Sequence, residues 1–218
     1  MRNSGPAAAI RPLLMLVLIA LLGCESAYYG AMERVGVHKR DILVDRVEAA
    51  MSAQEQAAEQ FENALEQFSS VVSVPASKLR RSYDRLNRSY EAADARATQV
   101  RDRIDGVESV SSALFKEWRE EIELIGNREL KASSASQLRR SEAQYETLMA
   151  AMRRAEQSME PVLGTFRDYV LYLKHNLNAQ AVASLEGELA AIEADVAGLL
   201  GDMQASIGEA RSFLKIMQ

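Results

Sequence analysis

The apolar residues of this chain recur every three and four positions, in four separate series. That spacing suits amphipathic helices packed side by side and little else. The first series is Val44, Val47, Met51, Gln54, Ala58, Phe61, Leu65, Phe68 and Val72. The second is Leu79, Tyr83, Leu86, Tyr90, Ala93, Ala97, Val100, Ile104, Val107, Ser111, Leu114, Trp118 and Ile125, with Glu121 as a misfit. The third is Leu138, Ser141, Tyr145, Leu148, Met152, Ala155, Met159, Val162, Phe166, Tyr169 and Leu173. The fourth is Val182, Leu185, Leu189, Ile192, Val196, Leu199, Met203, Ser206, Ala210, Phe213 and Met217. Each register carries a polar member: Gln54, Ser111, Ser141 or Ser206. Gln54 either fixes the register or faces out at a loose layer.

The breaks between series have local causes. Pro75 disfavours a helical Val74, so the first helix ends near Ser73. Gly126-Asn127 tolerates the left-handed conformation and ends the second. The third series follows Ser133-Ser134-Ala135-Ser136. Pro161 inside it cannot donate to the Gln157 carbonyl, which predicts a kink there or a fresh helix start at Pro161. The register shifts between Leu173 and Val182. Either His175-Asn176-Leu177-Asn178 is a turn with Asn178 capping the next helix, or one bent helix continues through it. Gly187, Gly198, Gly201 and Gly208 fall outside the fourth stripe and should make that helix the most mobile. The chain has only four prolines and eleven glycines, and no segment alternates like a half-buried strand. The expected fold is all-α: an elongated antiparallel four-helix bundle, or paired helical hairpins of coiled-coil type, with rods of roughly 60–75 Å.

Ahead of these series lies a different kind of sequence. Arg2 and Arg11 give a positive start, and Leu13 to Leu22 form an apolar run too short for a comfortable membrane span. That is the arrangement of an export signal. Leu21-Leu22-Gly23-Cys24 closes it and resembles the lipobox of bacterial lipoproteins, in which the signal is cleaved before an acylated cysteine. Multiple acyl chains would hold the chain stably on a membrane. The alternative is an incidental cysteine after a plain signal or anchor helix. Cys24 is the only cysteine, so the mature chain can form no internal disulfide. The resulting division is a lipoprotein signal peptide (1–23), a lipidated tether (24–33) and a helical bundle domain (34–218). Glu25, where an Asp would favour inner-membrane retention, points to the periplasmic face of the outer membrane. Tyr28 and Tyr29 could rest at the lipid interface or pack on the first helix.

Charge and motifs narrow the function. Without Arg2 and Arg11 the chain carries 24 basic and 31 acidic residues, which disfavours nonspecific nucleic-acid binding. His38 and His175 would lie at opposite ends of an up-down-up-down bundle, too far apart to share a metal, and no other metal or cofactor set is visible. No strained-turn nucleophile motif and no glycine-rich nucleotide loop is present. His38, Lys39 and Arg40 begin fourteen residues after the expected anchor. They read either as contacts to anionic head groups or as a solvated first turn balanced by Asp41 and Asp45. Trp118 and the methionines at 51, 152, 159, 203 and 217 occupy stripe positions, where packing is the simpler role.

Four segments carry a resemblance to a known family. They are Val37–Val47, Ala113-Leu114-Phe115-Lys116-Glu117-Trp118, Met149–Glu156 and Val170–Ala179. Together they resemble DUF2959, a bacterial family of predicted lipoproteins of unknown function; the resemblance covers nearly the whole mature chain and implies no catalytic residues. The expected function is that of a non-enzymatic envelope lipoprotein, attached to the membrane by lipid. Its rod would act as scaffold, spacer or docking surface for an envelope protein or a second copy. The alternative is a module that binds lipid or another apolar ligand between its helices.

Overall fold

The computed structural model describes residues 38–217. The expected signal, the tether with Cys24, Tyr28 and Tyr29, and residues 34–37 lie outside the described residues. Among the described residues four α-helices follow one another: α1 (Lys39–Ser73), α2 (Leu79–Leu124), α3 (Arg128–His175) and α4 (Ala179–Met217). A single 3-10 turn, Ala76–Lys78, leads into α2. At 1.5 Å per residue the helices span about 52 to 72 Å. Each packs against two others, α1 and α3 both lying between α2 and α4. The four therefore close into one antiparallel bundle rather than two separate hairpins.

The helix ends follow their local chemistry. Val74 is extended before Pro75, as expected, and α1 stops at Ser73. The Asn127 side chain accepts hydrogen bonds from the backbone N–H of Glu129 and Leu130 at 2.9 and 3.1 Å, an N-cap for α3. This cap starts α3 before the serine cluster expected to precede it, so Ser133, Ser134 and Ser136 are helical. His175 ends α3, and Asn178 Oδ1 caps α4 through the N–H of Ala181 at 3.0 Å. The turn between the third and fourth series is thus real, and the single bent helix is not. Helix α3 runs on through Pro161 without a new start there.

Burial along the bundle follows the second, third and fourth registers over most of their length. In α1, however, Val44, Met51, Ala58, Leu65 and Val72 are only partly buried while Leu43, Ala50, Ala57, Ala64 and Val71, one position earlier, are fully buried, so half of the first stripe is turned by one residue. Phe61, Phe68, Phe166 and Phe213 are completely buried. Phe68 meets Phe166 at 6.2 Å between ring centroids and Tyr169 edge-on at 5.2 Å, geometry that aromatic quadrupoles favour. The four polar stripe residues Gln54, Ser111, Ser141 and Ser206 are buried too. Gln54 therefore does not face out; both polar atoms of its side chain, and Ser206 Oγ, are buried without a hydrogen-bond partner.

One end departs from the expected stripe. Lys39 Nζ pairs with Glu117 at 3.2 Å, and Arg40 Nε donates to the Met217 carbonyl at 2.7 Å. These bonds bring the start of α1 and the end of α4 level with Glu117. Helix α2 continues to Leu124, so α2 and α3 overhang the other helices by about 10 Å. From that level outward Phe115 and Leu138 at the base and Ile122 above them form a small core of their own, while Leu114 and Trp118 are only partly buried. The stripe rotates because α2 has a single helix to pack against beyond that level.

Candidate functional site

The end of the bundle at which α1 begins gathers most of the residues singled out from sequence. His38 is exposed at the N-cap position of α1; its carbonyl, not its ring, accepts the first helical hydrogen bonds, from Asp41 and Ile42. The Lys39 side chain is 11% exposed and joined to Glu117, so it ties α1 to α2 rather than presenting a charge to solvent. Arg40 is exposed, yet its Nε holds the last carbonyl of α4. A guanidinium there satisfies an orphan acceptor and complements the negative end of the helix dipole. Two of the three basic residues thus have structural partners.

Beside Arg40 lies a groove of about 390 Å³ lined by Trp118, Gln137, Arg140, Ser141, Ile216 and Met217 as well as Arg40 itself. Trp118 Nε1 donates to Ser134 Oγ at 2.9 Å, which fixes the indole across the α2–α3 seam. A shallower groove of about 500 Å³ continues over Arg40, Asp41, Val44, Asp45 and Met217. The lining of the first groove holds two guanidiniums, an indole and aliphatic side chains. It has no histidine, cysteine or carboxylate, hence no side chain suited to act as a general base. What it can do is bind: an anionic group between the arginines, or an apolar group on Trp118 and Ile216.

A second charged constellation ties α2 to α3 in mid-bundle. Arg153 contacts Asp105 at 2.8 Å, Glu156 at 2.7 Å and Glu108, and Glu156 also receives Arg101 at 3.2 Å. Burial works against the Arg153 charge, but the hydrogen bonds to Glu156, Asp105 and Glu108 outweigh it and hold the guanidinium protonated. Every acid in the group answers an arginine, so it is a clamp and not a reactive site.

His175 closes α3 at the opposite end of the rod from His38, so the two histidines are not brought together. Among the described residues no group of three or more His, Cys, Asp or Glu is placed to hold a metal ion. No described helix is long and apolar enough to cross a membrane. The model of the family described as "Protein of unknown function (DUF2959)" matches residues 28–217. The chain belongs to the DUF2959 family. Its match begins at Tyr28, ten residues before the described structure, and runs to the end of α4. No curated protein matches the chain.

Sequence reasoning read Arg140 only as part of an exposed helix face, and did not single out Ile216 or the two most exposed leucines among the described residues, Leu124 and Leu130. Arg140 is one of many arginines on helix faces. Leu124, Leu130 and Ile216 left a usable signal: each is a large aliphatic residue outside its heptad stripe, close to a helix end.

Proposed function

We propose that this member of the DUF2959 family is a non-enzymatic cell-envelope lipoprotein. Cys24 would carry the lipid, at the periplasmic face of the outer membrane, and the bundle would serve as a scaffold or spacer that docks an envelope partner or a second copy. The observation that carries this reading is the pairing of Leu21-Leu22-Gly23-Cys24 at the end of a short apolar run with a helical rod that starts soon after it. Support for a structural role comes from the filled stripe. The fully buried Phe61, Phe68, Phe166, Phe213, Leu86, Ile104 and Met152 occupy the interior that a ligand between the helices would need. Support for a non-catalytic role comes from the groove beside Arg40, whose lining offers recognition and no acid–base pair.

The test is made in intact cells with the full chain. Metabolic labelling with a radioactive fatty acid should mark the wild type and not Cys24→Ser, which should accumulate with its first 23 residues uncleaved. Normal maturation of that variant would overturn the anchor. In-cell crosslinking should recover a discrete protein adduct; recovery of lipid alone would overturn the docking role and favour an apolar-ligand module.

A further inference from the structure

The overhang of α2 and α3 ends in an apex that no other described helix covers. Leu124 is 85% exposed and Leu130 62%, with Ile125 half-buried between them. Exposed leucines in this setting cost solubility and contribute nothing to the bundle. Ile216, also exposed, lies at the same end. The apex is well supported from below. Phe115, Ile122 and Leu138 pack beneath it, Trp118 bonds to Ser134, and Lys131 pairs with Glu123 at 2.8 Å. It is therefore a built projection rather than a frayed end.

Its direction matters. The described chain begins at His38, level with Glu117, and the apex extends about 10 Å beyond that level at the end of the bundle where α1 starts. We infer that the α2–α3 apex is a second membrane contact, inserting Leu124 and Leu130 into the surface of the bilayer to which the chain is tethered. This rests on the anchor at Cys24 proposed above. Thirteen residues separate Cys24 from His38, a reach of up to about 45 Å when extended, so the tether permits the apex to touch lipid without requiring it.

The occupant follows from position rather than charge, since the apex projects at the end of the bundle where the tethered chain enters α1. Around the apex Arg119, Arg128 and Lys131 stand against Glu120, Glu121, Glu123 and Glu129, close to balance. No electrostatic attraction to an anionic surface is built in, and two leucines alone hold a bilayer weakly. With the chain already anchored, the contact becomes intramolecular and a weak apolar patch suffices. Two contacts, lipid at Cys24 and leucines at the apex, would set the rod upright on the membrane instead of leaving it to swing on its tether.

The mature acylated chain has no free thiol, so Leu124→Cys introduces a single site for a nitroxide label. Leu171→Cys does the same at an exposed leucine toward the opposite end of α3. The purified full-length lipoprotein is reconstituted into vesicles of phosphatidylethanolamine with a minority of phosphatidylglycerol. The label at position 124 should collide with oxygen several-fold more readily, relative to a water-soluble nickel chelate, than the label at 171. Equal ratios at the two positions would overturn the inference. So would a label at 124 shielded from both agents, which would mean that a protein surface or a second copy covers the apex. The intact mass separates the two proposals. An acylated chain with a water-exposed position 124 defeats the apex contact alone, and a mature chain without acyl mass defeats the anchor and the apex together.

Discussion

The four-helix body and the two-helix overhang share α2 and α3, yet they solve different problems. In the body every level is closed by four stripes, and large side chains such as Phe61, Phe166 and Phe213 are wholly excluded from water. In the overhang two helices share a core of Phe115, Ile122 and Leu138, and much of the remaining contact is polar: Trp118 to Ser134, Lys131 to Glu123, Arg119 to Glu142. Two helices cannot bury enough apolar surface to order themselves cheaply, so the overhang borrows stability from the body. A rigid body with a lightly held projection is what a spacer with a contact at one end requires.

The largest test of this contrast deletes core volume on each side of the boundary. Phe166→Ala should cost about 3–5 kcal/mol and lower the urea midpoint of the whole bundle. Ile122→Ala should cost nearer to 2 kcal/mol, and the loss should be local. Native-state hydrogen exchange would show protection falling in residues 118–137 while the body keeps its own. If Ile122→Ala lowers the global midpoint as far as Phe166→Ala does, overhang and body are one cooperative unit and the distinction fails.

Polar groups sharpen the same comparison from the other side. In the body Gln54 is buried with both side-chain polar atoms unpaired, whereas in the overhang the Trp118 N–H has its partner. Gln54→Leu removes an unsatisfied amide at similar volume and should stabilise the bundle by about 1–3 kcal/mol. A midpoint that falls instead would show that the amide has a partner in solution, such as a buried water. A buried polar residue can also hold register and oligomeric state, so sedimentation of the variant should be followed alongside its melting. Ser134→Ala, by contrast, should weaken the overhang by about 1 kcal/mol or less and leave the body's melting midpoint in place.

Smaller still is the effect of glycine on α4. A Cβ placed on Gly198 or Gly201 would meet nothing within 4 Å, and both residues are exposed. Gly198→Ala and Gly201→Ala should each raise stability by about 0.5–1 kcal/mol, read from the thermal midpoint, and should slow exchange along α4. No change in α4 exchange would mean that packing against α1 and α3, not backbone freedom, sets the mobility of that helix.

How far the sequence reached follows the same boundary. The body was legible because heptad spacing is a property of the helix alone: Leu86, Ile104, Met152 and Phe213 are buried where the period puts them. Even the odd members Gln54, Ser111, Ser141 and Ser206 follow the period inward against their chemistry. The overhang was not legible, because where a helix loses one of its two neighbours depends on the lengths of the other helices. Nothing in Leu114 or Trp118 announces that α1 and α4 reach only to the level of Glu117. Likewise the serines at 133, 134 and 136 read as a linker until the Asn127 cap places them within α3. Of the basic residues near the start of α1, the pairing of Lys39 with Glu117 joins positions 78 apart, a separation that no local pattern signals.

Tyr145 sits on the boundary itself and supplies the finest test. Its ring meets Phe115 of the overhang core edge-on at 5.4 Å and Phe213 of the body at 6.4 Å. Burial raises its phenol above the ordinary tyrosine range, a rise opposed by a hydrogen bond with Ser111 and reinforced by the nearby Glu108. The folded chain therefore holds this proton more tightly than the unfolded chain does. The stabilisation is complete below the unfolded value of about 10 and is lost as pH rises through the higher folded one. Stability should accordingly decline in the alkaline range, and Tyr145→Phe should flatten part of that decline while leaving the acid side unchanged. Because the ring touches both cores, exchange measured above pH 10 should show the overhang loosening first. Simultaneous loosening of residues 118–137 and of α4 near Phe213 would instead make Tyr145 a coupling between the two regions, and the overhang would then move with the body rather than apart from it.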